Sequence, residues 1–439
     1  MKKYFEFEKY QTDYRTEIIA GITTFLATMY IIVINPAIIS KTGMPFSGIL
    51  TATVLVSAFS SIAMGVYAKN PIVMAPGMGI NAFFTYTVVI GMGVKWEVAL
   101  GTVFWSGVVF ILLSVFNIRV LILKAIPRQL RYAISAGIGF FITFIGFENA
   151  KFIVGNQATL VGIAKMNPIL VTFLIGLIFT SFLVVKKVKG ALIIGILFTT
   201  LISIPIGRIW GDASAVNFGT STLVTWQGFF SWPDFSLFMK LDFIESLKFS
   251  LWPVIFAFLF TDLFDSISTF IGVSEAADLI DEKGDPKRIK ESLIADAFGT
   301  LISGPFGTSS CTSYIESAAG VEEGGRTGLT AIVAGLLFLP FMFLSPLLSV
   351  VPSIATAPAL ILVGVFMMKP VVKINWGKLD DAIPAFLGMI LIPLTYSITQ
   401  GIIWGFVSWI LIKLAVGKKE EVSITMVIIG LLAIVALLT

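Results

Sequence analysis

The stretches "NPIVMAPGMGINAFF" at 70–84 and "SGPFGTSSCTSYIESAAG" at 303–320 decide how this chain is read. Both are crowded with Pro, Gly and small polar residues, and both interrupt long apolar runs. Neither favours a continuous helix, because Pro removes a backbone donor and Gly costs about 1 kcal/mol relative to Ala inside one. The second stretch also holds a carboxylate, Glu316, where charge is otherwise rare.

The surroundings set the solvent. Of 439 residues, 57% are hydrophobic and only 13% charged, against about 25% charged in soluble domains. That is too little charge for a water-facing surface, and the expectation is an integral protein of the cell membrane with the lipid bilayer as its partner. The net charge of +4 reads as loop topology. A nucleic-acid partner needs a clustered basic face, and none is present. One cysteine, Cys311, excludes an intrachain disulfide. Histidine is absent, so proton chemistry near neutrality falls to carboxylates, and zinc, Ser–His–Asp and Cys–His sites are excluded. "GMGIN" precedes no GK[ST] and "GVEEGGRTG" follows no strand, so neither is a phosphate loop. The expectation is a non-enzyme with no cofactor and no metal. The N-terminal "MKKYFEFEKYQTDYR" is charged and lacks the pattern of a signal peptide.

A spanning helix needs roughly 20 apolar residues. Uncharged runs cover 18–40, 42–68, 70–94, 98–118, 132–147, 166–185 and 190–207. A polar-aromatic connection at 208–246, with "TWQGFFSWPDFS", suits a membrane interface. Seven more runs follow near 247–273, 289–304, 305–322, 327–350, 353–368, 382–398 and 400–416, and a further apolar stretch, 422–438, is left as a span or an interfacial helix. With a cytoplasmic N-terminus, 23 of the 30 Lys and Arg residues fall on cytoplasmic segments and 7 on the other side, as the positive-inside rule asks. Seven is odd, so two tandem halves enter the membrane in opposite orientations. That is the inverted-repeat plan of many secondary transporters. The units are 1–207, the connection 208–246, 247–416, and a C-terminal segment 417–439. The two interrupted stretches are the third run of each half. Irregular backbone at membrane depth is tolerated only inside protein or beside a cavity, which points to a binding site there.

Glu316 follows the second break. A buried acid in a membrane costs about 2.5 kcal/mol or more, so it reads as a substrate or proton ligand, the alternative being a surface charge near Glu322, Glu323 and Arg326. In "FAFLFTDLFDSISTFIG" (256–272), Asp262 and Asp265 sit one turn apart on a shared helix face. Thirteen uncharged residues precede Asp262, which places the pair inside a span and favours proton binding over a solvated helix end. Asn81 is the polar counterpart in the first half: its amide both donates and accepts, which suits a heterocycle edge, and it also suits a helix cap. Phe83, Phe84 and Tyr314 offer faces for stacking on a flat ligand, or simply core. Asp296 reads as a structural hydrogen-bonding acid and Glu148 as interfacial.

Taken together, "APGMGINAFF", "FTDLFDSIST", "ADAFGTLISGPFGTSSCTSYIESAAGVEEGGRTGLTA" and "AIPAFLGMILIPLTYSI" resemble the AzgA-like branch of the nucleobase:cation symporters, in the nucleobase–ascorbate transporter superfamily, from about residue 4 to about 416. The resemblance implies an all-α polytopic fold of fourteen transmembrane segments, a seven-plus-seven inverted repeat with short strands in segments 3 and 10. It implies a core domain of segments 1–4 and 8–11 and a gate domain of segments 5–7 and 12–14. It also implies proton-coupled uptake of hypoxanthine, guanine or adenine by alternating access, with Asn81, Asp262 and Glu316 as substrate ligands and Asp262, Asp265 and Glu316 as proton-coupling groups. A homodimer through gate helices is the superfamily's habit. One departure concerns the pocket: this chain reads "DSIST" where the family has Asp-Thr-x-Gly-Thr, so Ser268 adds bulk and a hydroxyl. Uracil, xanthine or an anion are the rival cargoes on the same fold. A channel would ask for a wet lining of like charges instead.

Overall fold

The structure, a computed structural model, describes residues 2–116, 127–156, 158–209, 228–276, 279, 287–423 and 426–427, the side chains at 205–209, 268, 271, 275 and 276 excepted. The middle of the polar-aromatic connection (210–227) and nearly all of the final apolar stretch (424–425 and 428–439) lie outside the described residues.

The apolar runs fold as helices. The first run becomes two, α1 (Tyr14–Thr28) and α2 (Ile31–Ile39), with Pro36 inside the second. Asp13 starts α1 by accepting the Thr16 N–H at 2.8 Å, which satisfies one of the open donors of the first turn. Then come α3 (Phe46–Ala63), a strand β1 (Met74–Pro76) and a short helix α4 (Met78–Ala82) that runs on as wide turns to Gly91. The first half closes with α5 (Trp96–Val115), α6 (Arg128–Asn149), α7 (Pro168–Val185) and α8 (Ala191–Ile209). Between α6 and α7 lies a hairpin of β2 (Ile153–Asn156) and β3 (Leu160–Ile163), which the apolar pattern did not announce because it is short and mostly exposed.

The second half holds α9 (Trp252–Ala276), α10 (Ile289–Phe306), strand β4 (Cys311–Ser313), α11 (Ala318–Glu322), α12 (Gly328–Phe338), α13 (Ser353–Met367), α14 (Leu379–Thr395) and α15 (Ile398–Ala415). Among the described residues, eight helical stretches, from Tyr14–Thr42 to Ile398–Ala415, are long and apolar enough to cross a membrane. The shorter Met78–Gly91, Ala191–Ile204 and Gly328–Phe343 are also apolar. The chain is a helical integral membrane protein.

Two groups of helices pack mainly within themselves. In one, α10 lies along α5, α12 along α1 and α3, and α9 along α5. In the other, α13 and α14 lie along α6, α15 along α14, and α8 along α7 and α13. Small residues allow the close approaches that drive packing where no water is expelled. A Cβ on Gly328 would stand 1.9 Å from the Gly65 carbonyl oxygen, and one on Gly320 would stand 2.0 Å from Thr24 Oγ1. Hydroxyls inside the helices find acceptors on their own backbone: Thr53 donates to the Ile49 carbonyl at 2.7 Å and Ser57 to that of Thr53 at 2.6 Å.

Candidate functional site

The two interrupted stretches meet. β1 and β4 pair antiparallel, Met74 opposite Ser313, Ala75 opposite Thr312 and Pro76 opposite Cys311. Pairing continues past both ends: the Gly77 N–H donates to the Ser310 carbonyl and the Tyr314 N–H to the Val73 carbonyl, each at 3.0 Å. A three-residue strand inside an apolar body leaves edge groups that must find partners, and serines supply them. Ser61 Oγ accepts the Met74 N–H at 2.9 Å and donates to the Met74 carbonyl at 3.0 Å, while Ser317 Oγ accepts the Val73 N–H at 3.0 Å. Gly77 is required where the strand turns into α4, because a Cβ there would lie 2.6 Å from the Thr312 methyl. Each strand feeds a short helix, so two helix N-termini with their positive dipole ends flank the pair.

The polar side chains singled out in the sequence gather around residues 309–314. Ser309 donates to the Asn81 side-chain oxygen. Ser310 donates to Asp262 Oδ2 at 3.0 Å, and Thr300 donates to the same oxygen at 2.5 Å. Thr312 Oγ1 lies 2.9 Å from Ser266 Oγ, which itself reaches Asp296 Oδ1 at 2.7 Å and Asp262 Oδ1 at 3.2 Å. Ser313 reaches Asp296 at 3.4 Å. Alternate residues of an extended segment point to opposite faces, and this one thereby touches α4, α9 and α10 at once. Asp296 sits in the hydrogen-bonding position its sequence context suggested.

The acids divide by burial. Asp262 is 0% exposed with three hydroxyls on it. Asp265, one turn on, is half-buried beside Thr312 and within electrostatic reach of Glu316. The helix face is shared as expected, but the two carboxylates meet different surroundings. Glu316 is half-buried in the single turn Ile315–Ser317 ahead of α11, and its Oε1 accepts the Tyr30 phenol at 2.6 Å. Asn81 is 0% exposed; with its oxygen taken by Ser309, its Nδ2 has no acceptor among the described residues.

The aromatic candidates are more tied down than the sequence could tell. Phe83 is buried edge-on against Phe258, ring centroids 4.9 Å apart. Tyr314 is buried, its hydroxyl donating to the Pro76 carbonyl at 2.6 Å and its ring 6.4 Å from that of Tyr30. Ser268 lies on α9, but its side chain is outside the described residues. Tyr30 itself escaped the sequence reading. It stands 286 positions from Glu316 in an apolar run, and only its place at the α1–α2 break could have flagged it.

Polar groups converging on two interrupted segments inside an apolar helical body define a permease. The chain belongs to the Permease family, whose profile matches residues 15–404. It is 40% identical over 437 residues to the adenine permease AdeP of Escherichia coli (strain K12), covering 99% of this chain and 95% of that one. It is 42% identical over 435 residues to the guanine/hypoxanthine permease PbuG of Bacillus subtilis (strain 168), covering 96% of each. Among solved structures, the transmembrane domain of a cyanobacterium bicarbonate transporter, BicA, shares the fold, with a TM-score of 0.66 at 15% identity over 90% of this chain and 98% of that one.

Proposed function

We propose that the chain imports purine nucleobases (hypoxanthine, guanine or adenine) by proton symport with alternating access. The observation that carries this reading is the gathering of Asn81, Asp262, Asp265 and Glu316, from α4, α9 and the turn before α11, around one strand pair. The relatives named for adenine and guanine/hypoxanthine supply the substrate class.

A purine offers ring N–H donors and ring nitrogen acceptors along one edge. Glu316 and Asp265, the half-buried acids, accept the N–H groups. The Asn81 Nδ2, lacking an acceptor, donates to a ring nitrogen. Asp262 stays in the proton-coupling set; to ligate substrate directly it would have to release a hydroxyl it now holds. An unmatched buried polar group costs about 1–3 kcal/mol, which is how such an edge discriminates among bases. A proton on one acid neutralises the loaded site for its passage through the apolar barrier.

The topology is read as fourteen segments with the N-terminus cytoplasmic. Helix pairing supports the inverted repeat: α10 on α5, segments 9 and 4, mirrors α3 on α12, segments 2 and 11. The same packing supports a core of segments 1–4 and 8–11 moving against a gate of segments 5–7 and 12–14. The test is uptake of radiolabelled adenine, guanine and hypoxanthine into cells lacking their own purine carriers, with uracil, xanthine, bicarbonate and sulfate as competitors. Inhibition by unlabelled adenine, guanine or hypoxanthine but not by the four competitors supports the reading, and strong inhibition by uracil, xanthine or the anions refutes it.

A further inference from the structure

At the end of the molecule remote from the N-terminus, a polar and aromatic cluster ties one helix group to the other. From the first group come Lys41, just past α2, and Tyr86 and Thr87, on the continuation of α4. From the second come Glu148 and Asn149, ending α6, and Tyr396, in the turn between α14 and α15. Lys41 donates to the Asn149 side-chain oxygen and, at 2.8 Å, to the Tyr86 hydroxyl, and its ammonium lies 5.2 Å from the Tyr86 ring centroid. Thr87 Oγ1 donates to the Tyr396 carbonyl at 2.7 Å. The Tyr396 ring packs edge-on against Tyr86 at 6.0 Å and against Phe141 and Phe144 at 5.3 and 5.5 Å. Its hydroxyl reaches Glu148 at 3.4 Å.

We propose that these six residues form a latch that seals the cleft between core and gate on the side away from the N-terminus. The inference rests on the core-and-gate reading above. Three features suit a contact made to open. First, its bonds are side chain to side chain or side chain to a single carbonyl, so no backbone ladder has to break. Second, Lys41 and Glu148 are exposed and the tyrosines only half-buried, so water can take over most of these bonds on release; the buried Asn149 is the one partner that must be rehydrated. Third, Tyr396 holds φ at +55°, in the left-handed region, where a bulky side chain is rare and persists only when its surroundings impose it. That conformation stops α14 and turns the Tyr396 carbonyl toward Thr87. Among the described residues, the exposed Lys189–Glu323 pair at 2.8 Å is one link between the two groups at the opposite end, and exposed ion pairs contribute little.

Two measurements test the latch. In right-side-out membrane vesicles, a T87C/Y396C pair is bridged with a short reducible bis-thiosulfonate; Cys311 is buried and does not compete. Bridging should lower purine uptake by more than about tenfold and reduction should restore it, whereas uptake that persists in bridged protein overturns the proposal. Separately, Thr85, the buried residue preceding Tyr86, is replaced by Cys and labelled with an impermeant maleimide. Adding K41A and Y86A should raise the labelling rate on the order of tenfold, the effect of losing one or two hydrogen bonds; an unchanged rate overturns the latch. The labelling needs no substrate. If the unaltered protein carries no purine, the transport reading falls, and the labelling result still decides the latch.

Discussion

The two interrupted segments share a plan and differ in chemistry. Each offers a three-residue strand and a short helix, and the strands are partners. The first strand, Met-Ala-Pro, presents almost nothing but backbone. Its polar groups are satisfied by Ser61 and Ser317 from elsewhere, and the helix after it brings one neutral amide, Asn81. The second is preceded by hydroxyls at 309 and 310 and carries them at 312 and 313; they hold Asn81 and the acids of α9 and α10, and the turn after it brings Glu316. Geometry is thus duplicated between the halves while charge is concentrated in one. In the proposed site this gives a neutral wall and a titratable wall, and a substrate that must be gripped and then released would use both.

If the amide is a substrate donor, Asn81→Ala should cut uptake kcat/KM by roughly 30- to 150-fold, the range for about 2–3 kcal/mol of lost transition-state interaction and an orphaned Ser309. Transport assays at matched membrane abundance check this, and an effect under threefold would make Asn81 a mere cap. On the titratable wall, Tyr30→Phe removes one charge-assisted bond to Glu316, about 1.5 kcal/mol or roughly tenfold, with a smaller loss than Asn81→Ala expected in the same assay. The scaffold can be compared through its serines. Ser61→Ala strands both the N–H and the carbonyl of Met74, whereas Ser317→Ala strands only the Val73 N–H. At about 1 kcal/mol per orphaned group, the first should lower the melting temperature of detergent-purified protein about twice as far as the second.

The smallest effect is expected far from both strands, at the ends of α14 and α15. There the buried Lys413 binds Asp380 at 2.7 Å and Asp381 at 2.5 Å, and Lys418 binds Asp380 at 2.6 Å. Hydrogen bonds from Lys413 and then Lys418 hold the Asp380 carboxyl well below its ordinary value of 3.8. A depressed acid contributes stability in full above its unfolded value and loses it only as pH falls through the folded one. The melting-temperature gap between the natural protein and Asp380→Asn should therefore stay constant from pH 8 to about pH 5 and shrink only below the ordinary carboxylate range.

Much of the fold was legible because lipid imposes length and polarity on every helix. The apolar runs fall on helices or on a strand followed by a short helix, and the Pro- and Gly-rich breaks at 70–84 and 303–320 became the strand pair. The bend at Met29–Tyr30 and the hairpin β2–β3 were not legible. The first lies in an unbroken apolar run, and the second is too short to show alternation above noise. The acids of the site were visible as charges in the wrong solvent. Their division into a wholly buried Asp262 and a half-buried Asp265 was not, since i and i+3 share a helix face whatever packs on it. Tyr30, Ser309 and Thr312 were hidden for a plainer reason: each gains its meaning only from a partner far away in sequence, and nothing local marks that partner.

The central claim is that Glu316 both receives the base and couples it to the proton. The most direct test measures steady-state accumulation of radiolabelled hypoxanthine, with adenine and guanine alongside, in cells with an imposed inward proton gradient. The natural protein should concentrate substrate several-fold above the medium, and Glu316→Gln, present at the same level in the membrane, should leave the inside at or below the outside concentration. Continued accumulation against the gradient by Glu316→Gln would contradict the account.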